Sequence, residues 1–383
     1  MIPYAKQNIN QADINSVSKV LKSEFLTTGP EIEKLEKKFS SYVGSKYAVA
    51  VINGTAALHL ACLAAKLQPK EEVITSSLSF AASANCALYC NAKPIFVDVN
   101  QQGLIDETKI ESQINSKTKI IIPVHYAGFP CNLSQIKIIA KKYRLIVIED
   151  ACHAPGAKYK KSMIGDCSYS DMTVFSFHPV KHITTGEGGM ITTNSKKFYH
   201  RLLLFRNHGI TKDPKQYLNK SDGPWYHEMQ ELGFNYRLND IQATLGISQL
   251  KRIKQFIKKR RKIAQIYDRA FTNSKNIEII KENKDQASSY HLYPIRVKDS
   301  KTRLKLFNYL MSKNIFCQVH YIPIYWHPYY QKLAHSPSGR DYKKGLCPKA
   351  EDFYKREISI PMFFSLNSKT QNFVIKSILE FLN

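Results

Sequence analysis

The stretch 145-LIVIEDACHA-154 decides the fold: four apolar residues run straight into two acids, without alternation of polar and apolar positions. A strand of that kind is buried on both faces, as the central strands of a helix-covered parallel sheet are. Outward from it the pattern recurs at 47-YAVAVI-52, 72-EVIT-75, 94-PIFVDV-99, 119-KIIIPVHY-126 and 172-MTVFSF-177. Helical patterns such as 54-GTAALHLACLAAK-66 and 133-LSQIKIIAKKY-143 lie between them. This order predicts an α/β chain with a mostly parallel central sheet and helices on both faces. In such sheets ligands sit beyond the carboxyl ends of the strands, so residues there are the first candidates for chemistry.

Toward the N-terminus, residues 11–43 read as helical pieces around a break at 27-TTGP-30, with 31-EIEKLEKKF-39 restarting a helix on acidic residues. After about residue 240 the alternation fades. In 251-KRIKQFIKKRRK-262, Ile253 and Ile257, with Leu250 before and Ala264 after, keep helical spacing and predict an amphipathic helix with a basic, solvated face. Beyond it come 290-YHLYPIRV-297, a helix near 301–312, the strand-like 315-IFCQVHY-321, an aromatic-rich loop over 322–341, a short strand 357-EISIPM-362 and a C-terminal helix. We expect a large domain over 1–245 and a smaller α+β domain over 246–383.

With 383 residues, 43% hydrophobic and 23% charged, the chain has ordinary globular composition. No apolar run approaches the roughly 18 residues a membrane span needs, and no secretory signal is legible, so a cytoplasmic protein is expected. The eight cysteines show no paired C-x-x-C spacing and read as reduced, mostly buried thiols; no metal site is expected. A net charge of +25 suits a polyanion. A nucleic-acid-binding regulator would use it, but no RNP-type aromatics, zinc-finger spacing or zipper accompany the basic helix. A diphosphate-bearing small molecule explains the charge more simply.

Four segments at strand ends carry candidate chemistry. In LIVIEDACHA, Glu149 or Asp150 lies at the ligand edge, either as a helix cap or as a carboxylate facing a cationic nitrogen in a poorly solvated pocket. In 174-VFSFHPVKHITTGEGGM-190 a buried strand leads to Lys181 and then to a glycine cluster. Desolvation lowers a lysine's pKa and frees its amine for carbonyl chemistry. Ser176, at the same strand end, is placed to offer a hydroxyl to a phosphate. In 51-VINGTAALHLA-61 the turn at Asn53-Gly54 opens a helix at Thr55; this is an ordinary N-cap, and also a phosphate site, because unpaired N–H groups point outward there. In 76-SSLSFAASANC-86, Phe80 is either a core aromatic or a ring that stacks on a planar ligand.

Together these motifs resemble the DegT/DnrJ/EryC1/StrS family of sugar aminotransferases, from Pro3 to the C-terminus, through EDACHA at 149–154, FSFHPVK at 175–181, TTGEGG at 184–189 and ELGFNYRLNDIQA at 231–243. The resemblance implies the type I aminotransferase fold and pyridoxal 5'-phosphate as cofactor. It implies that Lys181 holds the cofactor, that Asp150 pairs with the pyridine nitrogen, and that His153 flanks the ring oxygen. Gly54, Thr55 and Ser176 match the phosphate-binding positions and Phe80 the stacking one. The loop 233-GFNYRLND-240 resembles the family segment that reaches a neighbouring subunit, so Asn235 would touch the phosphate across the interface of a homodimer.

Within the family, FSFHPVKHITTGEGG, 223-GPWYHEMQELGFNYRL-238, HLYPI at 291–295, QVHY at 318–321 and ISIP at 359–362 are most similar to the pseudaminic acid branch. That implies UDP-2-acetamido-2,6-dideoxy-β-L-arabino-hex-4-ulose as acceptor and glutamate as amino donor. Substrate contacts would then come from Tyr4, from Glu24, Phe25, Leu26 and Thr27, and from Gln318, Val319, His320 and Tyr321. The segment 322–341 departs from the branch pattern, which leaves perosamine- or bacillosamine-type keto-sugars open.

Overall fold

The computed structural model describes residues 1–334 and 342–382. Its centre is a seven-stranded sheet: β1 (Tyr47–Val51), β2 (Glu72–Ser76), β3 (Lys93–Val97), β4 (Thr118–Ile122), β5 (Ile146–Asp150), β6 (Met172–Ser176) and β7 (Gly189–Thr193). The spatial order is β1-β7-β6-β5-β4-β2-β3. Strands β3, β2, β4, β5 and β6 run parallel, and β7 runs antiparallel to both its neighbours. The apolar runs of the sequence are therefore the parallel strands, buried on both faces as their composition requires. Strand β7 was not expected: its opening Gly188-Gly189 reads as loop. The glycine at 189 is needed because a Cβ there would lie 2.5 Å from the Asn53 carbonyl oxygen.

Helices cover both faces. On one side, α1 (Gln11–Val20) and α2 (Pro30–Val43) pack on a helix over Asp240–Leu250; on the other lie α3 (Gly54–Ala64), α4 (Ala82–Tyr89) and a helix over Lys196–Arg206. Gly29 and Pro30 break the chain between α1 and α2, where both Asp240 carboxylate oxygens accept backbone N–H groups of Gly29 and Glu31. The C-terminal part carries an antiparallel three-stranded sheet: Glu278–Ile279 pairs with Tyr293–Arg296, which pairs with Glu357–Ile360. The helices Ile253–Phe271, Ser300–Ser312 and Ser368–Leu382 pack around it.

Three sequence expectations need correction here. The basic helix spans Ile253–Phe271, but its cationic face is not wholly solvated: Arg260 is buried and donates to the carbonyls of Tyr290, His291 and Met362. Residues 315–321 form no continuous strand. Ile315 bridges to Ile2 and Gln318 to Ser359, so the segment changes partner within three residues and no ladder can extend. The expected loop over 322–341 contains a 3₁₀ turn at Ile324–Trp326 and a helix at Pro328–Ala334; its residues 335–341 lie outside the described ones. All eight cysteines are free, and all but the half-buried Cys152 are buried. No helix among the described residues is long and apolar enough to cross a membrane.

Candidate active site

The carboxyl ends of β1, β2, β5 and β6 open into one cavity of about 440 Å³. It is lined by Gly54, Thr55, Phe80, Asp150, His153, Ser176 and Lys181, and also by Tyr4, His320 and Tyr321. Of the cofactor positions expected from sequence, only Asn235 is absent. It lies outside the cavity lining, in a bridge to Asn207. Residues Glu24, Phe25, Leu26 and Thr27 are exposed and do not line the cavity, and neither do Gln318 and Val319.

Strand geometry resolves which acid faces the ligand. Successive side chains point to opposite faces. Glu149 turns into the core, held by His125 Nε2 at 2.7 Å and Ser170 Oγ at 2.5 Å. Asp150 turns to the cavity, where Ser83 Oγ donates to its Oδ2 at 2.6 Å and the Cys152 N–H to its Oδ1 at 3.1 Å. Ser83 in turn contacts Ser79 Oγ at 2.7 Å. Each oxygen of this 94% buried carboxylate keeps a further lone pair with which to meet a ligand.

At the other end of the cavity, Asn53 caps α3 by accepting from the Ala56 N–H, so the helix start presents Gly54 and Thr55 toward Ser176. A Cβ on Gly54 would sit 3.1 Å from Ser176 Cβ and 3.2 Å from Cys152 Sγ, tighter than side chains normally pack. The bare backbone, the helix dipole and the Ser176 hydroxyl form a cradle for a phosphate. Phe80 is 61% exposed at the mouth, its ring 6.3 Å from that of Tyr321. It is not a core aromatic.

Lys181 follows β6 after a turn closed by its N–H donating to the His178 carbonyl. Its Nζ lies 3.5 Å from His291 Nε2. Burial lowers its pKa below the ordinary lysine range, with Arg260 adding to the effect and Cys152 and Asp150 opposing it. His153 and His291, with ring centroids 4.3 Å apart, are held well below the usual histidine range, first by burial and then by Lys181. The lysine thus shares its pocket with neutral imidazoles. His153 also bonds Tyr321 OH through Nε2 at 3.1 Å and accepts the Ala127 N–H on Nδ1 at 3.3 Å, which fixes its ring plane.

Sequence reasoning by residue type missed Ser83, His291 and Arg260. Ser83 lies three residues after Phe80 on the same loop-to-helix turn, which was a usable signal. His291 and Arg260 come from the C-terminal part, and nothing in their local pattern points to the lysine. An amine, an acid, a phosphate cradle and a stacking ring at one sheet edge fit a phosphorylated pyridine that carries an aldehyde.

A model of the DegT/DnrJ/EryC1/StrS aminotransferase family matches residues 7–379. A UDP-4-amino-4,6-dideoxy-N-acetyl-β-L-altrosamine transaminase from Campylobacter jejuni is 38% identical, across 100% of this chain and 98% of its own. A GDP-perosamine synthase from Escherichia coli O157:H7 is 36% identical, across 99% and 98%. Among solved structures, Spr1654 of Streptococcus pneumoniae in its PMP form superposes with a TM-score of 0.92 at 30% identity, across 100% of this chain and 99% of that one.

Proposed function

Because the chain belongs to the DegT/DnrJ/EryC1/StrS aminotransferase family, whose members use pyridoxal 5'-phosphate, we propose that it moves an amino group from glutamate to C4 of a UDP-linked 4-keto-6-deoxy sugar. The acceptor we favour is UDP-2-acetamido-2,6-dideoxy-β-L-arabino-hex-4-ulose, which would give UDP-4-amino-4,6-dideoxy-N-acetyl-β-L-altrosamine. The observation that carries the reading is the meeting of Lys181, Asp150 and the Gly54–Thr55–Ser176 cradle in one cavity. The 38% identical relative supports the choice of sugar.

Each side chain then has a task. When bound, the cofactor supplies an aldehyde that takes up and releases the amino group and a ring that spreads the electron pair left by a departing proton. Lys181 would hold it and, once released, would take a proton at Nζ from the donor's α-carbon and, in the second half of the cycle, deliver one to C4 of the sugar. Burial lowers that amine's pKa, which favours the uncharged form a base needs. Asp150, locked by Ser83, would keep the pyridine nitrogen protonated. Ser176 and the first N–H groups of α3 would hold the phosphate, Phe80 would cover the ring, and His153 would flank the ring oxygen. Tyr4, His320 and Tyr321 line the sugar end.

The site is completed in a homodimer on this reading. Leu218, Trp225, Met229 and Leu232 are 66–80% exposed on the segment leading to Asn235, an apolar surface that a partner would cover. Asn235 and the 24–27 loop would then enter the partner's site, which accounts for their distance from the chain's own cavity.

A GDP-linked acceptor of perosamine type is the second reading, supported by the 36% identical synthase. Incubation with glutamate and a panel of UDP-, GDP- and dTDP-4-keto-sugars, read by mass spectrometry and NMR, separates them. We expect the UDP-linked N-acetyl sugar to give a 4-amino product at the highest kcat/KM. Preference for a GDP sugar would replace the first reading with the second.

A further inference from the structure

One buried acid near the cavity has no task so far. Glu357, on the strand Glu357–Ile360, is fully buried, and no ion pair reaches it among the described residues. Its Oε2 accepts the His320 N–H at 2.7 Å, and its Oε1 meets Ser359 Oγ at 2.5 Å. Ser359 lies two residues on, hence on the same face of the strand. Its hydroxyl continues to His320 Nδ1 at 2.8 Å. With Nδ1 engaged, Nε2 is the ring nitrogen left to meet a ligand in the cavity that His320 lines, beside the ring of Tyr4 at 5.7 Å.

Three hydrogen-bonding groups in a row allow two proton arrangements. In the first, Glu357 O–H donates to Ser359, Ser359 O–H donates to Nδ1, and the proton of the neutral ring sits on Nε2. In the second, both relay protons have moved one place toward the ring, Glu357 is an anion, Nδ1 carries the proton, and the Nε2 proton has left to solvent. Histidine offers the substrate a donor in the first and an acceptor in the second.

We propose that Glu357 is a positioning residue whose carboxyl proton, relayed through Ser359, fixes His320 as an Nε2–H donor to an oxygen of the keto-sugar. This rests on the sugar end of the cavity being where Proposed function puts it. Burial raises the Glu357 pKa to about 8, against the hydrogen bonds from Ser359 and His320 and the pull of Arg303 on the helix Ser300–Ser312. Tyr126, Cys317 and Tyr321 are the other titratable groups that feel its charge. Burial, with Lys181 adding to it, lowers His320 to about 3, so the ring stays neutral and only its tautomer is at issue.

The test is ¹⁵N NMR of histidine-labelled, cofactor-loaded full-length protein, with the His320 signal assigned by its loss in His320→Gln. We expect His320 as the Nε2–H tautomer at neutral pH, passing to Nδ1–H as the pH rises through about 8. Glu357→Gln, whose amide also donates to Ser359, should hold the Nε2–H form at every pH, and Ser359→Ala should abolish the pH dependence. In turnover, Ser359→Ala should raise KM for the keto-sugar roughly tenfold with a smaller change in kcat, the cost of about one misdirected hydrogen bond. An Nδ1–H tautomer at neutral pH, or the same alkaline transition in Glu357→Gln, overturns the proposal. The tautomer is read without substrate, so a correct tautomer in a protein that ignores all keto-sugars would count against the function and leave the relay standing.

Discussion

Lys181 Nζ and His291 Nε2 stand 3.5 Å apart, joining the end of a sheet strand to a histidine 110 positions later in the chain. The imidazole is neutral, because burial holds its pKa well below the usual range, so it can accept a hydrogen bond from the amine. On the proposed role of Lys181, the contact would give the amine a resting partner whenever it is released. Replacing His291 with Leu should lower kcat roughly fivefold, about 1 kcal/mol of lost hydrogen bonding, while cofactor stays bound. Single-turnover kinetics of each half-reaction would check this, and an unchanged rate would leave His291 a packing residue.

Asp150 is the second point of leverage. Asp150→Asn keeps the shape and removes the charge, and activity should fall by roughly 10²–10⁴-fold with the cofactor retained. Ser83→Ala, which frees Asp150 Oδ2 from its 2.6 Å bond, should cost much less, roughly three- to tenfold. Near-normal turnover of Asp150→Asn would mean that another group faces the ring nitrogen.

The role that the family resemblance implies for Asn235 predicts complementation between dead variants. If Asn235 acts across the interface, Lys181→Ala and Asn235→Ala subunits, unfolded together and refolded as a mixture, should form hybrids in which one of the two sites is intact. Activity should return well above that of either variant alone. Absence of any recovery, with hybrids verified by native mass spectrometry, would place Asn235 in its own chain's site or outside the chemistry.

How much of this was legible follows from where each signal resides. The parallel strands declare themselves because both faces are buried, so 145–150 and 172–177 admit no polar alternation. The acid, lysine, serine and glycine of the site lie at the ends of those strands, and their residue types alone suggest the chemistry. Strand Gly189–Thr193 was hidden because Gly189 serves a close approach to Asn53 rather than a loop. The segment 315–321 misled because its apolar, β-rich composition is spent on two different partners. The buried Arg260 looks like its solvated neighbours in a run of cations; only the three carbonyls it faces, from residues 290, 291 and 362, set it apart, and they come from distant loops.

Arg260 yields a stability prediction. Its Nη1 meets three carbonyls at once, and methionine offers no donor to replace it. Arg260→Met should lower the unfolding free energy by about 2–4 kcal/mol, seen as a lower denaturant midpoint. A shift below about 0.5 kcal/mol would show that water takes over the carbonyls.

The central claim is that one amine, on Lys181, carries the cofactor. Borohydride reduction of the cofactor-loaded protein, followed by proteolysis and mass spectrometry, reads that attachment directly. The phosphopyridoxyl group should be found on the peptide containing Lys181, and on none in Lys181→Ala. A label fixed on a different lysine of the wild-type chain would contradict the account.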